Sequence, residues 1–220
     1  MFKLDRTAFR ANTFASADDQ IRYWRKRSPA ERLLAADFLI RQAWGIAPDA
    51  PMRVDRSVAK IRIRRMANVF NSDFKDFIDA LNRAGVAYLL VGGYAVILHG
   101  YSRTTGDLDI WVQPTSENYQ LLELAFADFG MPTFDMTEAN FLAPDKFDVF
   151  TFGVPPSAID LMTRVKGLVF EEVYAQSSIY EFEDLAVRVI NHRDLIAAKL
   201  AAGRYRDLND VEQLRKIEEE

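Results

Sequence analysis

The stretch VGGYAVILHGYSRTTGDLDIWV, residues 91–112, constrains the fold more tightly than any other part of the chain. An apolar run, VAYLLV, feeds into Gly92–Gly93. A short helical pattern, YAVILHG, follows, and DLDIWV then reads as a second strand carrying two carboxylates. Side chains alternate along a strand, so Asp107 and Asp109 share one face while Leu108 and Ile110 point the other way. Like charges set side by side repel, and burying them is costly without a partner. The pair therefore needs either open solvent or a counter-ion.

The neighbouring residues bear on that choice. Glycines ahead of a helix let backbone N–H groups approach a phosphate, although glycine pairs also make plain turns. In SRTTG, Arg103 offers a fork of donors and Thr104 or Thr105 a hydroxyl, or the segment is simply a polar loop. A third acid, Asp160, lies in SAIDLMT between Ile159 and Leu161. Alone it fits a satisfied structural acid. On a strand beside the pair, it can take a proton from an attacking hydroxyl and help hold a metal. Hard oxygen ligands suit Mg²⁺, which usually takes one or two protein carboxylates and leaves room for water and phosphate.

The pattern from about residue 67 onward alternates helices and strands with short connections, which predicts an α+β fold around a mixed sheet. NSDFKDFIDALNRAG reads as an amphipathic helix with Phe74, Phe77, Ile78 and Leu81 inward and Gly85 as its stop. SENYQLLELAFADFG is another helix, expected to be capped by Ser116 and closed by Gly130. FDVFTF, SAIDLM and LAVRVI read as strands, FEEVYAQ as a short helix. NHRDLIAAKLAAGR and DLNDVEQLRKIEEE read as two closing helices.

The first third reads differently. SADDQIRYWRKR opens on a helix-start signature, Ser16 with Asp19 three residues later. SPAERLLAADFLIRQAWG has a capping box at Ser28 and Glu31, Pro29 in its first turn and Gly45 at its end. Leu33, Leu34, Phe38 and Ala43 are expected to form its apolar stripe. IRIRR, residues 61–65, fits a basic strand or an extended linker. A boundary near Met66 divides a basic, mainly helical segment, residues 1–66, from the body, residues 67–220. The first holds 15 Lys+Arg against 7 Asp+Glu, net +8; the second holds 13 against 25, net −12. Such a split suits a basic arm that binds nucleic acid or the acidic body of its own chain.

The combination of Gly92–Gly93, thirteen intervening residues, Asp107-x-Asp109 and the later Asp160 resembles the nucleotidyltransferase superfamily, which shares its fold with DNA polymerase beta. LIAAKLAAGRYRDLNDVEQL, with Lys199, Arg204, Asp207 and Asp210, is similar to the closing helix pair of the AbiEii-type group, toxins of prokaryotic toxin–antitoxin systems and their relatives. The resemblance spans roughly residues 70–215 and leaves the first 66 unaccounted for.

The resemblance implies a nucleotidyltransferase fold with two Mg²⁺ among Asp107, Asp109 and Asp160 and a nucleoside triphosphate (NTP) as substrate. It implies phosphate contacts from Gly92, Gly93, Arg103, Thr105, Lys199 and Arg204. The acceptor would be RNA, with the end of tRNA the first expectation, and a cognate antitoxin protein would be a partner. Within the same chemistry stands a protein adenylyltransferase of the antitoxin type, and outside it a non-catalytic nucleotide-binding module.

Other chemistries are excluded or disfavoured. The chain has no cysteine, so disulfides, thiolate catalysis and cysteine-ligated zinc are absent. His99, beside Gly100, reads as a helix C-terminal residue, and His192 sits in a first helical turn beside a capping box of Asn191 and Asp194. Their spacing does not fit a zinc helix motif, and no Gly-Lys-Ser/Thr follows the glycines as a Walker A loop requires. The first residues lack the apolar core of a leader peptide, and no run approaches a membrane span. A cytoplasmic protein with no membrane partner is expected.

Overall fold

The computed structural model describes residues 2–13, 20–47, 49–50, 70–182 and 185–218. The helix start at Ser16, the IRIRR segment and the boundary near Met66 lie outside the described residues. Within them the strands are β1 (Phe9–Asn12), β2 (Tyr88–Leu90), β3 (Asp107–Val112), β4 (Val149–Val154), β5 (Ser157–Met162), β6 (Ser178–Phe182) and β7 (Leu185–Val189). The helices are α1 (Gln20–Arg25), α2 (Pro29–Trp44), α3 (Ser72–Ala84), α4 (Gly92–Leu98), α5 (Ser116–Phe129), α6 (Glu138–Phe141), α7 (Phe170–Ala175), α8 (His192–Ala202) and α9 (Tyr205–Glu218). No helix among them is long and apolar enough to cross a membrane.

The strands make one sheet in the order β1-β4-β5-β3-β2-β7-β6. It is mixed: β3/β5 and β2/β7 run parallel, and the other neighbours are antiparallel. This is the α+β architecture that the alternating pattern predicts. Alternation then assigns the two faces. Leu108, Ile110, Ile159, Leu161, Phe150 and Phe152 are all fully buried. They point to the face covered by α3 and α5, where Phe126 packs 4.8 Å from Phe152 and 5.5 Å from Phe77, ring centre to ring centre. The opposite face carries Asp107, Asp109, Asp160 and Thr151.

Local signals explain most helix ends. Ser28 and Glu31 form the reciprocal capping box of α2, and Gly45, Gly85 and Gly130 close their helices in the left-handed region. Asn191 Oδ1 accepts from the Asp194 N–H at 2.8 Å, one half of the expected capping box, while Asp194 Oδ2 accepts from the Asn191 side-chain amide at 2.6 Å. His99 occupies the C-terminal position of α4 and bonds the Ile190 carbonyl at 2.8 Å.

Three local expectations need correction. Thr115, one residue earlier than expected, caps α5: its Oγ1 accepts from the Asn118 N–H, while the Ser116 hydroxyl turns to Glu138. The α2 stripe also fails, because Leu33 and Leu34 are 71% and 63% exposed and Ala35 is the residue that α2 buries. Finally, β1, β6 and α6 are elements that the pattern did not announce. β1 is the consequential one, since it ties part of the first segment into the sheet: Phe9 stacks 5.4 Å from Phe134, Leu4 is buried, and Arg6 lies over the Phe129 ring.

Candidate active site

Register builds the site. Asp109 of β3 stands opposite Asp160 of β5, Asp160 opposite Thr151 of β4, and Thr151 opposite Arg10 of β1. Four strands thus present Asp109, Asp160, Thr151 and Arg10 as one row on one face. Asp107 lies two residues earlier on that face, level with Ala158. All three acids are half-buried. Thr151 Oγ1 donates to Asp160 Oδ1 at 2.6 Å. Burial, and then the Asp109 charge, push the Asp160 carboxyl up to about 7, against the opposing pull of the Thr151 hydrogen bond, Arg10 and Arg204.

The glycine pair meets the acids directly. Gly92 has φ 59°, and a Cβ there would overlap the Asp109 carboxylate. The Gly93 N–H donates to Asp109 Oδ2 at 3.1 Å. A Cβ on Gly93 would overlap the Thr105 hydroxyl and approach Arg103 Nη2 to 3.0 Å. The N–H that sequence reasoning assigned to a phosphate is therefore engaged by Asp109 here. Both positions are glycine because Asp109, Thr105 and Arg103 pack against their backbone. Tyr94, the next residue, is buried, and burial followed by Asp107 and Asp109 raises its hydroxyl pKa far above the usual value.

A chain of five charges runs behind this cluster. Arg204 Nε meets Asp207 at 2.7 Å, and Asp207 meets Lys199 Nζ at 2.8 Å. Lys199 Nζ also meets Asp210 at 2.9 Å, and Asp210 meets Arg103 Nε at 3.0 Å. Lys199, Asp207 and Asp210 are buried. Burial acts to raise the Asp207 carboxyl, but Arg204 and Lys199 outweigh it and hold it below its ordinary value. For Arg103, burial and the nearby Arg206 charge lower the guanidinium pKa against the pull of Asp210. Lys199 and Arg204 thus face carboxylates of their own helix pair, and Arg103 is the member that projects to Gly93 and Thr105.

One cavity reaches the acids through Asp107, and a second is walled by residues outside the row. The first, of about 340 Å³, lies between the Arg103–Asp107 loop, Arg206 and Asn209 of α9, and Trp24 and Leu39 of α1 and α2. Leu39 also packs on Gly106, and Gln42 of α2 donates to the Tyr94 hydroxyl. The second, about 820 Å³, lies between Thr13, the Arg164–Val169 loop and the Ala201–Arg204 turn.

Among the described residues no three acids or imidazoles stand in a ready-made metal cage. The donor chemistry nevertheless fits a hard divalent cation. Asp109 and Asp160 oppose one another across adjacent strands, and their mutual repulsion contributes to raising the Asp160 pKa. A cation beside them reverses that penalty. Sequence reasoning missed Arg10, Thr151, Tyr94 and the cavity residues Trp24 and Leu39. Arg10 and Thr151 become visible only when strand register is known; Trp24 and Leu39 needed the path of the first segment.

No protein-family model matches the chain, and no curated protein sequence matches it. Among solved structures it is similar to the lincosamide antibiotic adenylyltransferase LnuA in its lincomycin-bound crystal structure, at 18% identity and a TM-score of 0.46, over 67% of this chain and 98% of that one.

Proposed function

We propose that the protein transfers a nucleoside monophosphate from an NTP to a hydroxyl of RNA, with the acceptor end of tRNA as the expected target. The observation that carries this reading is the in-register pair Asp109 and Asp160, with Asp107 on the same face beside an arginine-lined cavity. In the reaction, the acceptor oxygen attacks the α-phosphorus, the bond to pyrophosphate breaks, and Asp160 takes the hydroxyl proton. Without metal the Asp160 carboxyl is pushed up to about 7 by burial and Asp109, and a bound cation would pull it back toward the ordinary range. Asp107, Asp109 and Asp160 would hold Mg²⁺, two ions by the superfamily resemblance, which neutralises phosphate charge when bound. Arg103 serves the phosphates as a donor fork, with Thr105 beside it. Lys199 and Arg204 act through the carboxylates that fix α8, α9 and Arg103.

The basic residues 1–66 are proposed as a segment distinct in role from the catalytic body, residues 67–220. Its helices α1 and α2 cover the cavity beside Asp107, motivated by Trp24 and Leu39 in the cavity wall and by the +8 against −12 charge split. A toxin role with a cognate antitoxin protein completes the reading; expression of the chain should then arrest growth, and Asp109→Ala should relieve the arrest.

The test is label transfer from each of four NTPs, with Mg²⁺, to total tRNA. Label on RNA that disappears in Asp107→Ala and Asp109→Ala supports the proposal. Label on protein would mean adenylylation instead. Nucleotide binding without pyrophosphate release would mean a non-catalytic module.

A further inference from the structure

The paired acids of β3 have a cationic counterpart in the loop that leads into the strand. Arg103 Nη1 and Arg206 Nη2 both donate to one backbone carbonyl, that of Thr104, at 3.1 Å and 2.7 Å. Two guanidinium groups thus converge on a neutral acceptor, which orients them and discharges neither. Their repulsion is felt at Arg103, where the Arg206 charge adds to burial in lowering the guanidinium pKa. Arg103 has a carboxylate in Asp210, which its Nη2 meets at 3.2 Å. Arg206 has none: among the described residues it forms no ion pair, and its hydrogen bond goes to Thr104. It is exposed and lines the cavity of about 340 Å³ together with Arg103 and Asp107. The two cations that the sequence motif offered to phosphate, Lys199 and Arg204, are engaged by Asp207 instead. Like charges gathered at a cavity favour an ion of opposite sign between them.

We infer that Arg206 binds the terminal phosphates of the NTP and makes the protein select triphosphates over nucleotides with a shorter phosphate chain. The inference rests on the nucleotidyl-transfer reading above and adds a residue that the sequence motif does not contain. Chain order supplies the direction. The arginine loop comes first, then Asp107, then Asp109 opposite Asp160. A nucleotide whose α-phosphorus lies at Asp109 and Asp160 extends its tail over Asp107 into this cavity, the triphosphate compartment. Arg103 meets the tail from the loop and Arg206 from α9. Arg103 is fixed by Asp210 and packs on Gly93, so it stands on the side of the acids. Arg206 takes the far end. Its planar fork suits phosphate oxygens, and the donors that Thr104 leaves unused have no protein acceptor among the described residues. When the bond to the α-phosphorus breaks, the charge gathering on the departing pyrophosphate falls between these two groups.

The experiment measures equilibrium binding to the full chain, Arg206→Gln and Arg206→Lys, with Mg²⁺ and no acceptor. The probes are the tri-, di- and monophosphate of the nucleoside preferred in the four-NTP assay, and inorganic pyrophosphate. The expected result is triphosphate affinity lowered roughly 10–100-fold in Arg206→Gln, the worth of charge-assisted bonds to phosphate, with monophosphate affinity unchanged. Pyrophosphate, which occupies the same end of the cavity, should weaken alongside the triphosphate. Arg206→Lys keeps the charge without the fork and should recover part of the loss. Arg206 is exposed, and circular dichroism checks that both variants keep the fold. Arg206 also ties α9 to the loop, and loosening that tie alone would weaken all three nucleotides by one factor. Such uniform weakening, or unchanged triphosphate affinity, overturns the inference while leaving nucleotidyl transfer intact. An unaltered chain that binds no nucleotide and labels no acceptor overturns the underlying reading instead.

Discussion

Asp160 sets what pH does to this protein. Its carboxyl is raised in the folded chain from 3.8 to about 7, first by burial and then by Asp109. A raised acid stabilises the fold below its ordinary pKa, and that contribution is lost as pH rises through the folded value. Without divalent metal, thermal stability should decline between about pH 4 and pH 7, and Asp160→Asn should flatten the decline; thermal melts across pH check both. The same variant should cost roughly 10²–10⁴-fold in transfer rate, the usual worth of a positioned proton acceptor. Gly92→Ala is a sharper probe, because its Cβ meets Asp109 at a left-handed φ. It should abolish transfer while the sheet remains folded, as read by circular dichroism beside the activity assay. Asp107, Asp109 and Asp160 were legible in the sequence, since a period of two and apolar flanks reveal the face of a strand. The Asp109–Asp160 adjacency was not, because sheet order is a long-range property. The reason for the glycines was also hidden: their neighbour is a carboxylate sixteen residues away, and spacing alone suggests a phosphate instead.

Among the elements, the α8–α9 pair and α2 behave in opposite ways. The α8–α9 pair is fastened by Lys199 between Asp207 and Asp210, all three buried. Removing one partner leaves a buried charge uncompensated. Asp210→Asn should therefore cost about 3–5 kcal/mol and release Arg103 from its position. A Tm lowered by roughly 6–20 °C in a thermal melt would match that cost. The α2 helix is well capped but shallowly seated, with Ala35 its fully buried residue and Leu33, Leu34 and Trp44 exposed. Its helix ends were legible because caps are local chemistry. Its buried face was not, since a helix with apolar residues on two sides does not reveal which side docks. Trp24, in the wall of the smaller cavity, tests the covering role. Trp24→Ala should lower the KM for NTP if α1 and α2 obstruct the triphosphate compartment, and Trp44→Ala, outside that cavity, should not.

At the scale of the whole molecule, the described part of the first segment adds the edge strand β1 to the sheet and lends Trp24 and Leu39 to the wall of the cavity beside Asp107. Deleting residues 1–12 removes β1, uncovers the β4 edge and takes Phe9 and Leu4 from the aromatic cluster around Phe152. An exposed edge beside apolar side chains invites self-association. Light scattering on warming should reveal aggregation at lower temperature than for the full chain. The architecture as a mixed sheet between helices was legible from the alternating pattern, while β1 was hidden in four residues without a turn signal. That short strand has a further implication for how the chain is made. Asn12 pairs with Val149, so β1 has no place to dock until the far later β4 has been made. Neighbours nearer in sequence, such as β4 with β5 and β2 with β3, face no such wait, so the β1–β4 seam is the pairing where synthesis and folding are expected to fall furthest out of step.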